Sequence, residues 1–345
     1  MGKNKRNIVV LAGGESGERD VSLDSAKAIA KALRDSGNAV VVVDAFNGKK
    51  FDDGFIDSSD HATSEKYSLP DKAAFDPTAL VRTLMEMKAE GIDVVFNGLH
   101  GGAGENGAMS ALLESVGLPY TGSPMAASAI AMNKDIAKRV MWSLNIPTGK
   151  WRLFNKGERD EAETCIIIKH EFNLPVIIKP ADCGSTVGLS LVESVEEIAP
   201  ALQSAFSASD LVMAETYFQG REITVAVLDG TALPPVEIKP THKLYDYTCK
   251  YTKGKSQYFC PVDIDEKIKE KLSDDAVRLY KQIGCQGYAR VDFIVSDIDH
   301  YVCLELNTLP GMTELSLFPM AARAVGLDFA KLLNKLCDLA LERKG

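Results

Sequence analysis

The sequence predicts an α/β protein whose N-terminal part is a parallel sheet covered by helices and whose C-terminal part is α+β. Two observations carry this. Strand-like and helix-like stretches alternate through roughly the first 120 residues, the βαβ rhythm of a parallel sheet. Near the C-terminus, residues 288–295 and 301–306 alternate in the β manner around the polar turn 296–300, the pattern of an antiparallel hairpin. The composition, 46% hydrophobic and 25% charged over 345 residues, suits two or three globular domains.

In chain order, an apolar strand at 8–12 leads to a helix across 21–34 and a second strand at 39–44. A polar segment of weak periodicity, about 47–75, reads as an inserted loop. A helix across 78–89, a strand at 93–99 and a helix from about 106 to 116 complete the parallel unit. The turn-rich stretch 118–124 marks a boundary. Helices at about 125–145 then lead to strands at 175–179 and 211–217. The last region holds a strand at 222–228, a long loop at 240–261, a helix at about 265–283, the hairpin and a closing helix at 327–342.

Charge and cysteine usage narrow the function. A net charge of −9 argues against a nucleic-acid partner. No apolar run approaches the ~20 residues needed to span a membrane. The basic start has no apolar stretch after it and does not read as a secretory signal, and Arg6 breaks the myristoylation pattern. The seven cysteines are scattered singly with no C-x-x-C, as expected of reduced thiols in a cytoplasmic protein without a zinc site.

The hairpin carries the first chemistry. Side chains alternate across a strand, so Val291, Phe293 and Val295 are expected on one face with Val302, Leu304 and Leu306. Arg290, Asp292, Glu305 and Asn307 then share the other face. If Asp292 lies opposite Glu305, Arg290 lies opposite Asn307. Opposed carboxylates repel unless a cation sits between them. An all-oxygen set of Asp, Glu and Asn suits Mg²⁺ with phosphate oxygens as further ligands. The plainer alternative is a solvated face with an Arg–Asp salt bridge.

Four loops add to this. Residues 174–190 read as a strand ending in Lys179, a glycine-bounded loop with Gly184, Ser185, Thr186 and Gly188, then another strand. Glycines let backbone N–H groups converge on an anion, and Lys is rarely buried without a partner. No P-loop pattern is present. The 240–261 segment is long, aromatic and basic, and reads as a lid. Near the N-terminus, the glycines at 13, 14 and 17 follow a strand and open a helix. They nearly match a dinucleotide fingerprint, but Ala12 stands where its first glycine belongs, and Asp44 lies farther on than the usual ~20 residues. The loop after the 93–99 strand holds His100, where α/β sheets place ligands.

Together these segments resemble the D-alanine–D-alanine ligases of the ATP-grasp superfamily. The resemblance runs in order over nearly the whole chain: GGESGERDVSL, HGGAGENG, GLPYTGS, MNK, VIIKPADCGSTVGLS, YDYTCKYTKGKSQYFCP, RVD and LELNTLPGMTELSLFPMAA. It implies an N-terminal α/β domain (1–122), a central ATP-grasp domain (123–219) and a C-terminal ATP-grasp domain (220–345) carrying the lid. It implies ligation of two D-alanines through D-alanyl phosphate with ATP as co-substrate, two Mg²⁺ or Mn²⁺ ions, a role in peptidoglycan synthesis, and compatibility with a homodimer. Glu18 would hold the first D-alanine's ammonium, with His100, Ser185 and Tyr251 around it. Lys134 and Lys179 would contact ATP phosphates, Lys250 the γ-phosphate, and Gly184, Ser185 and Thr186 would lie over them. Glu215 and the backbone of Thr216, Tyr217 and Phe218 would form the adenine hinge, with Glu222 on the ribose. Asp292, Glu305 and Asn307 would bind the ions, while Arg290 and the Gly311 N–H stabilise the oxyanion. Ser316 and Leu317 would meet the second D-alanine's carboxylate. Asn106 departs from the family, which more often has Asp there.

The chemistry agrees. A carboxylate must be activated before an amine can attack it in water, and phosphoryl transfer needs metal ions and cations more than covalent help. The rivals are a related ligase taking D-lactate, D-serine or another amino acid second, a Rossmann-type NAD(P) oxidoreductase, and a non-catalytic nucleotide-binding module.

Overall fold

The computed structural model describes residues 5–57, 76–184, 187–240, 256–296 and 300–343. Its first sheet is parallel, in the order β2 (Ala39–Asp44), β1 (Asn7–Ala12), β3 (Val94–Asn97). The central strand, NIVVLA, is buried from Ile8 to Ala12, as a parallel strand covered on both faces must be. Helix α1 (Arg19–Asp35) buries Leu23, Ala26, Ile29, Ala30 and Leu33 at helical spacing. The short α2 (Asp53–Asp57) turns Phe55 and Ile56 into the core, so the start of the polar 47–75 segment is packed structure and not an open loop. Residues 58–75 lie outside the described residues.

Helix α3 (Pro77–Ala89) opens on an Asp76 cap with Pro at its first position. A short helix, α4 (Gly102–Glu105), forms in the stretch read as loop, and the helix expected from about 106 follows as α5 (Ala108–Val116). Gly107 separates them at φ 94°, and a Cβ there would meet the Met125 carbonyl at 2.5 Å, so both conformation and space require glycine. Helices α6 (Met125–Met132) and α7 (Lys134–Ser143) follow, α7 capped by Asn133.

The second sheet is antiparallel, in the order β4 (Trp151–Asn155), β7 (Leu211–Thr216), β5 (Val176–Pro180), β6 (Ser190–Val192). Helices α8 (Glu161–Glu171) and α9 (Ile198–Ala208) supply Ile168, Ile198, Leu202 and Ala205 to its core. The third sheet runs β11 (Ser256–Phe259), β10 (Val236–Pro240), β8 (Arg221–Leu228), β12 (Tyr288–Val295), β13 (Tyr301–Asn307), with β9 (Thr231–Ala232) on β8. Strand β11 lies within the 240–261 stretch expected as a lid, so that stretch ends in a sheet edge; residues 241–255 are outside the described residues. Helices α10 (Glu266–Ile283), α11 (Leu317–Ala324) and α12 (Phe329–Glu342) complete the chain.

The hairpin keeps the expected register at its functional end, Asp292 opposite Glu305 and Arg290 opposite Asn307. A β-bulge then steps the partner of Phe293 to Cys303. The expected face is therefore corrected: Val291, Phe293 and Val295 share their core with Leu306 and Cys303, while Val302 pairs with Ile294 and Leu304 is half-buried. The bulge adds one residue to the strand, which reverses the alternation beyond it.

Candidate active site

Loops at the carboxyl ends of β1 and β3 face the central sheet's glycine loop and the hairpin. Ser16 ties the first two loops together, donating to the His100 carbonyl at 2.5 Å and accepting the Glu18 N–H at 3.2 Å. A Cβ on Gly101 would meet Glu18 Oε2 at 2.5 Å, and one on Gly184 would lie 3.5 Å from that oxygen and 3.7 Å from Glu105 Oε2. Glu18, Glu105 and the glycine loop are thus brought to one point. His100 is buried, 3.0 Å from the Ser25 hydroxyl through Nε2 and 3.9 Å from Glu105 through Nδ1. Burial lowers its pKa against the raising field of Glu18. Glu105 accepts the Gly101 N–H at 2.9 Å, yet burial and the Glu18 carboxylate raise its pKa to about 7. An apolar cavity of about 270 Å³, walled partly by Leu80, Leu99, Met109 and Leu112, backs these loops. Asn106 faces away, exposed, its carboxamide accepting the Ala108 N–H; the acidic partner of His100 is Glu105.

The N-terminal glycine loop does not offer a pyrophosphate cradle. The Gly13 N–H donates to Ser22, the Gly14 N–H to Asp44, and Asp44 is itself gripped by Arg19. Asp44 is a buried ion-pair partner, which removes the ribose-binding role an oxidoreductase would need.

Three lysines stand around the β5–β7 end of the central sheet. Lys179 reaches Glu215 Oε2 at 2.7 Å, and Lys138, fully buried on α7, reaches Oε1 at 2.5 Å. Burial alone would raise Glu215, but the two ammonium groups outweigh it and hold the carboxyl below its ordinary range. Burial likewise works against Lys179, and the Glu215 and Glu305 carboxylates overcome it and raise its pKa. Lys134 donates to the Cys183 carbonyl at 2.8 Å and stands 3.5 Å from Glu305 Oε2. It therefore joins the glycine loop to the hairpin. Thr216 is exposed and Tyr217 and Phe218 half-buried where β7 ends, with Glu222 half-buried on β8.

On the hairpin, Arg290 grips Asp292 with Nε and Nη2 at 2.8 and 2.7 Å, and the Thr224 hydroxyl donates to Asp292 at 2.6 Å. The salt bridge foreseen as the plain alternative is present beside Glu305. Asn307 accepts the Leu309 N–H at 2.9 Å. Asp292, Glu305 and Asn307 offer the hard oxygen donors that Mg²⁺ or Mn²⁺ takes, and these residues could hold such an ion. Among the described residues no group of three His, Cys, Asp or Glu gathers as a metal site.

Gly311 lies against Ser316, where an added Cβ would meet its hydroxyl at 3.1 Å. Ser316 opens α11, but its hydroxyl accepts the Thr313 N–H at 3.0 Å and makes no cap bond. That helix start, with Leu317 first in the helix, suits a carboxylate. Ser185, Thr186, Lys250 and Tyr251 lie outside the described residues.

Sequence reasoning missed Glu105 and Lys138. Glu105 lies in a stretch read as loop, and an acid in a helix's first turn ordinarily signals only dipole complementarity. Lys138 sits in an amphipathic helix, where a lysine reads as solvated. A charged residue at the i+4 position from Lys134, on the same helical face, was the available signal.

Residues 7–123 match the family model described as the D-ala D-ala ligase N-terminus, and residues 140–338 match the D-ala D-ala ligase C-terminus. The D-alanine–D-alanine ligase of Aquifex aeolicus is 40% identical over 329 residues, covering 95% of this chain and 98% of that one. The ligase of Syntrophotalea carbinolica is 38% identical, covering 99% and 98%. Among solved structures, the Coxiella burnetii D-alanine–D-alanine ligase superposes with a TM-score of 0.76 at 26% identity, covering 98% of this chain and 94% of that one. The Bacillus anthracis ligase complexed with ATP does so at 0.74 and 28%, covering 97% of each.

Proposed function

Because the chain belongs to the D-alanine–D-alanine ligase family, we infer that it joins two D-alanines to D-alanyl-D-alanine at the expense of ATP, for peptidoglycan precursors. Its fold is the parallel α/β unit followed by an ATP-grasp pair of antiparallel sheets, which we divide at 122/123 and 219/220. No described helix is long and apolar enough to cross a membrane, consistent with cytoplasmic work, and the family reading is compatible with a homodimer.

The observation that carries this reading is Lys134, which spans from the Cys183 carbonyl of the glycine loop to Glu305 of the hairpin. It sets phosphate-handling groups beside the opposed carboxylates. In the reaction, a carboxylate oxygen of the first D-alanine attacks the γ-phosphorus of ATP, forming D-alanyl phosphate and releasing ADP. The amine of the second D-alanine then attacks the acyl carbon, phosphate leaves and the amine loses a proton.

Glu18 holds the first ammonium beside His100, whose pKa is lowered by burial. Lys134 and Lys179 hold the phosphates, with Gly184, Ser185, Thr186 and Lys250 completing the cradle. Glu215, Thr216, Tyr217 and Phe218 form the adenine side and Glu222 meets the ribose. Asp292, Glu305 and Asn307 would hold two divalent ions, Mg²⁺ or Mn²⁺, which neutralise charge developing on the phosphoryl oxygens. Arg290, its orientation set by Asp292, and the Gly311 N–H stabilise the tetrahedral oxyanion, where one donor is typically worth ~10²–10³ in rate. Ser316 and Leu317 receive the second carboxylate at the helix start, and Tyr251 is assigned a hydrogen bond beside the first substrate.

ADP release measured across D-alanine, D-serine, D-lactate and L-alanine tests this. D-alanine alone should support full turnover with matching dipeptide. Release that needs no D-amino acid would contradict the reading.

A further inference from the structure

We propose that Lys138 is a positioning residue for ATP, holding the adenine-side strand β7 and the phosphate-side strand β13 at one spacing through Glu215 and Thr148. The proposal rests on the ligase reading and adds a residue whose side chain does not reach the ligand.

Lys138 is fully buried, which a lysine seldom is unless paired. Its ammonium has three protons to donate, and each has an acceptor from elsewhere in the chain. Glu215 Oε1 lies at 2.5 Å, Thr148 Oγ1 at 2.5 Å and the Gly149 carbonyl at 3.3 Å. Two chains of contacts leave from it. The first runs through Glu215, the first residue of the stretch assigned to adenine, to Lys179. The second runs through Thr148, whose hydroxyl donates to the Cys303 carbonyl at 2.8 Å. The Cys303 N–H donates to the Pro147 carbonyl at 2.7 Å. Cys303 therefore has both backbone groups tied to the 147–148 connector. This occurs at the bulge, two residues before Glu305. The bulge and the connector set where Glu305 stands, and Lys138 sets where the connector stands. Gly149 packs against the same carboxylate, a Cβ there lying 3.2 Å from Glu215 Oε1. A satisfied core lysine would need acceptors only; here the acceptors lead to the two ends of one elongated substrate.

Lys138→Met keeps length and removes charge and donors. The expected result is a KM for ATP raised about tenfold, with the KM for D-alanine unchanged. Thr148→Val cuts only the second chain and should raise the KM for ATP about threefold, while Thr148→Ser, which keeps the hydroxyl, should match wild type. ATP affinity is also readable without turnover, by isothermal titration calorimetry. If Lys138→Met does not fold, the Thr148 pair decides. A purely structural role predicts lower Tm and less active enzyme with both KM values normal, and that result, or wild-type ATP affinity in Thr148→Val, overturns the proposal. If the parent enzyme binds ATP but makes no dipeptide, the ligase reading fails instead.

Discussion

Glu105 is the residue whose environment has the most measurable consequence. Burial and the neighbouring Glu18 carboxylate raise its pKa to about 7, so the folded state holds its proton more tightly than the unfolded chain does. Its stabilising effect is complete below about pH 4.5 and is lost as pH rises through about 7. A difference of that size corresponds to about 3 kcal/mol. Glu105→Gln keeps an acceptor for the Gly101 N–H and has no proton to lose. Urea unfolding at pH 5 and pH 8 should show the variant close to wild type at the lower pH and more stable at the higher. Equal offsets at both pH values would mean that Glu105 stays charged in the fold. Glu18, His100 and Arg290 were named as candidates from the sequence, Glu18 through the family resemblance, His100 through its place after a strand and Arg290 through its place on the hairpin. Glu105 and Lys138 were not, because their roles come from burial against elements distant in the chain.

At the scale of the element, the hairpin shows what alternation can and cannot supply. Period-two patterning gave its strands, and opposing charged residues gave the Asp292–Glu305 register. The bulge was invisible, because Cys303 and Leu304 are both apolar and either can face a core. Strand β4 and helix α8 escaped for a related reason. Trp-Arg-Leu-Phe-Asn is a half-buried edge strand, and α8 exposes Ile166 while burying Ile168, so its apolar run has no clean face. The hairpin's function is separable from its folding. Glu305→Gln keeps shape but removes one of two opposed carboxylates and the Lys134 contact at 3.5 Å. Turnover should fall by about 10²-fold or more, with the Tm kept and a higher Mg²⁺ requirement. Near-normal turnover with unchanged Mg²⁺ dependence would remove Glu305 from the metal set.

Across the whole molecule, three sheets bring their ends to one place, and the N-terminal sheet is not an independent body. Its core continues into Leu309, Phe318, Leu332, Leu333 and Leu336 of the C-terminal part, and Asn38 and Arg6 both donate to Asn334. The loops of Glu18 and His100 thereby rest on a core that also takes in Ala226, Leu228 and Tyr288 of the third sheet, while the hairpin's Val291, Phe293 and Leu306 pack in a second core and the central sheet keeps its own. The parallel unit was readable from its βαβ rhythm; this shared core was not, since nothing local in residues 329–342 says which sheet they cover. The joint site makes sense only if one carboxylate is phosphorylated within it and then met by an amine. D-alanine labelled with ¹⁸O in its carboxylate, turned over with ATP and Mg²⁺, tests that claim most directly. One ¹⁸O is expected in each phosphate released, carried over when the acyl phosphate is attacked at carbon. Dipeptide formed with unlabelled phosphate would contradict it.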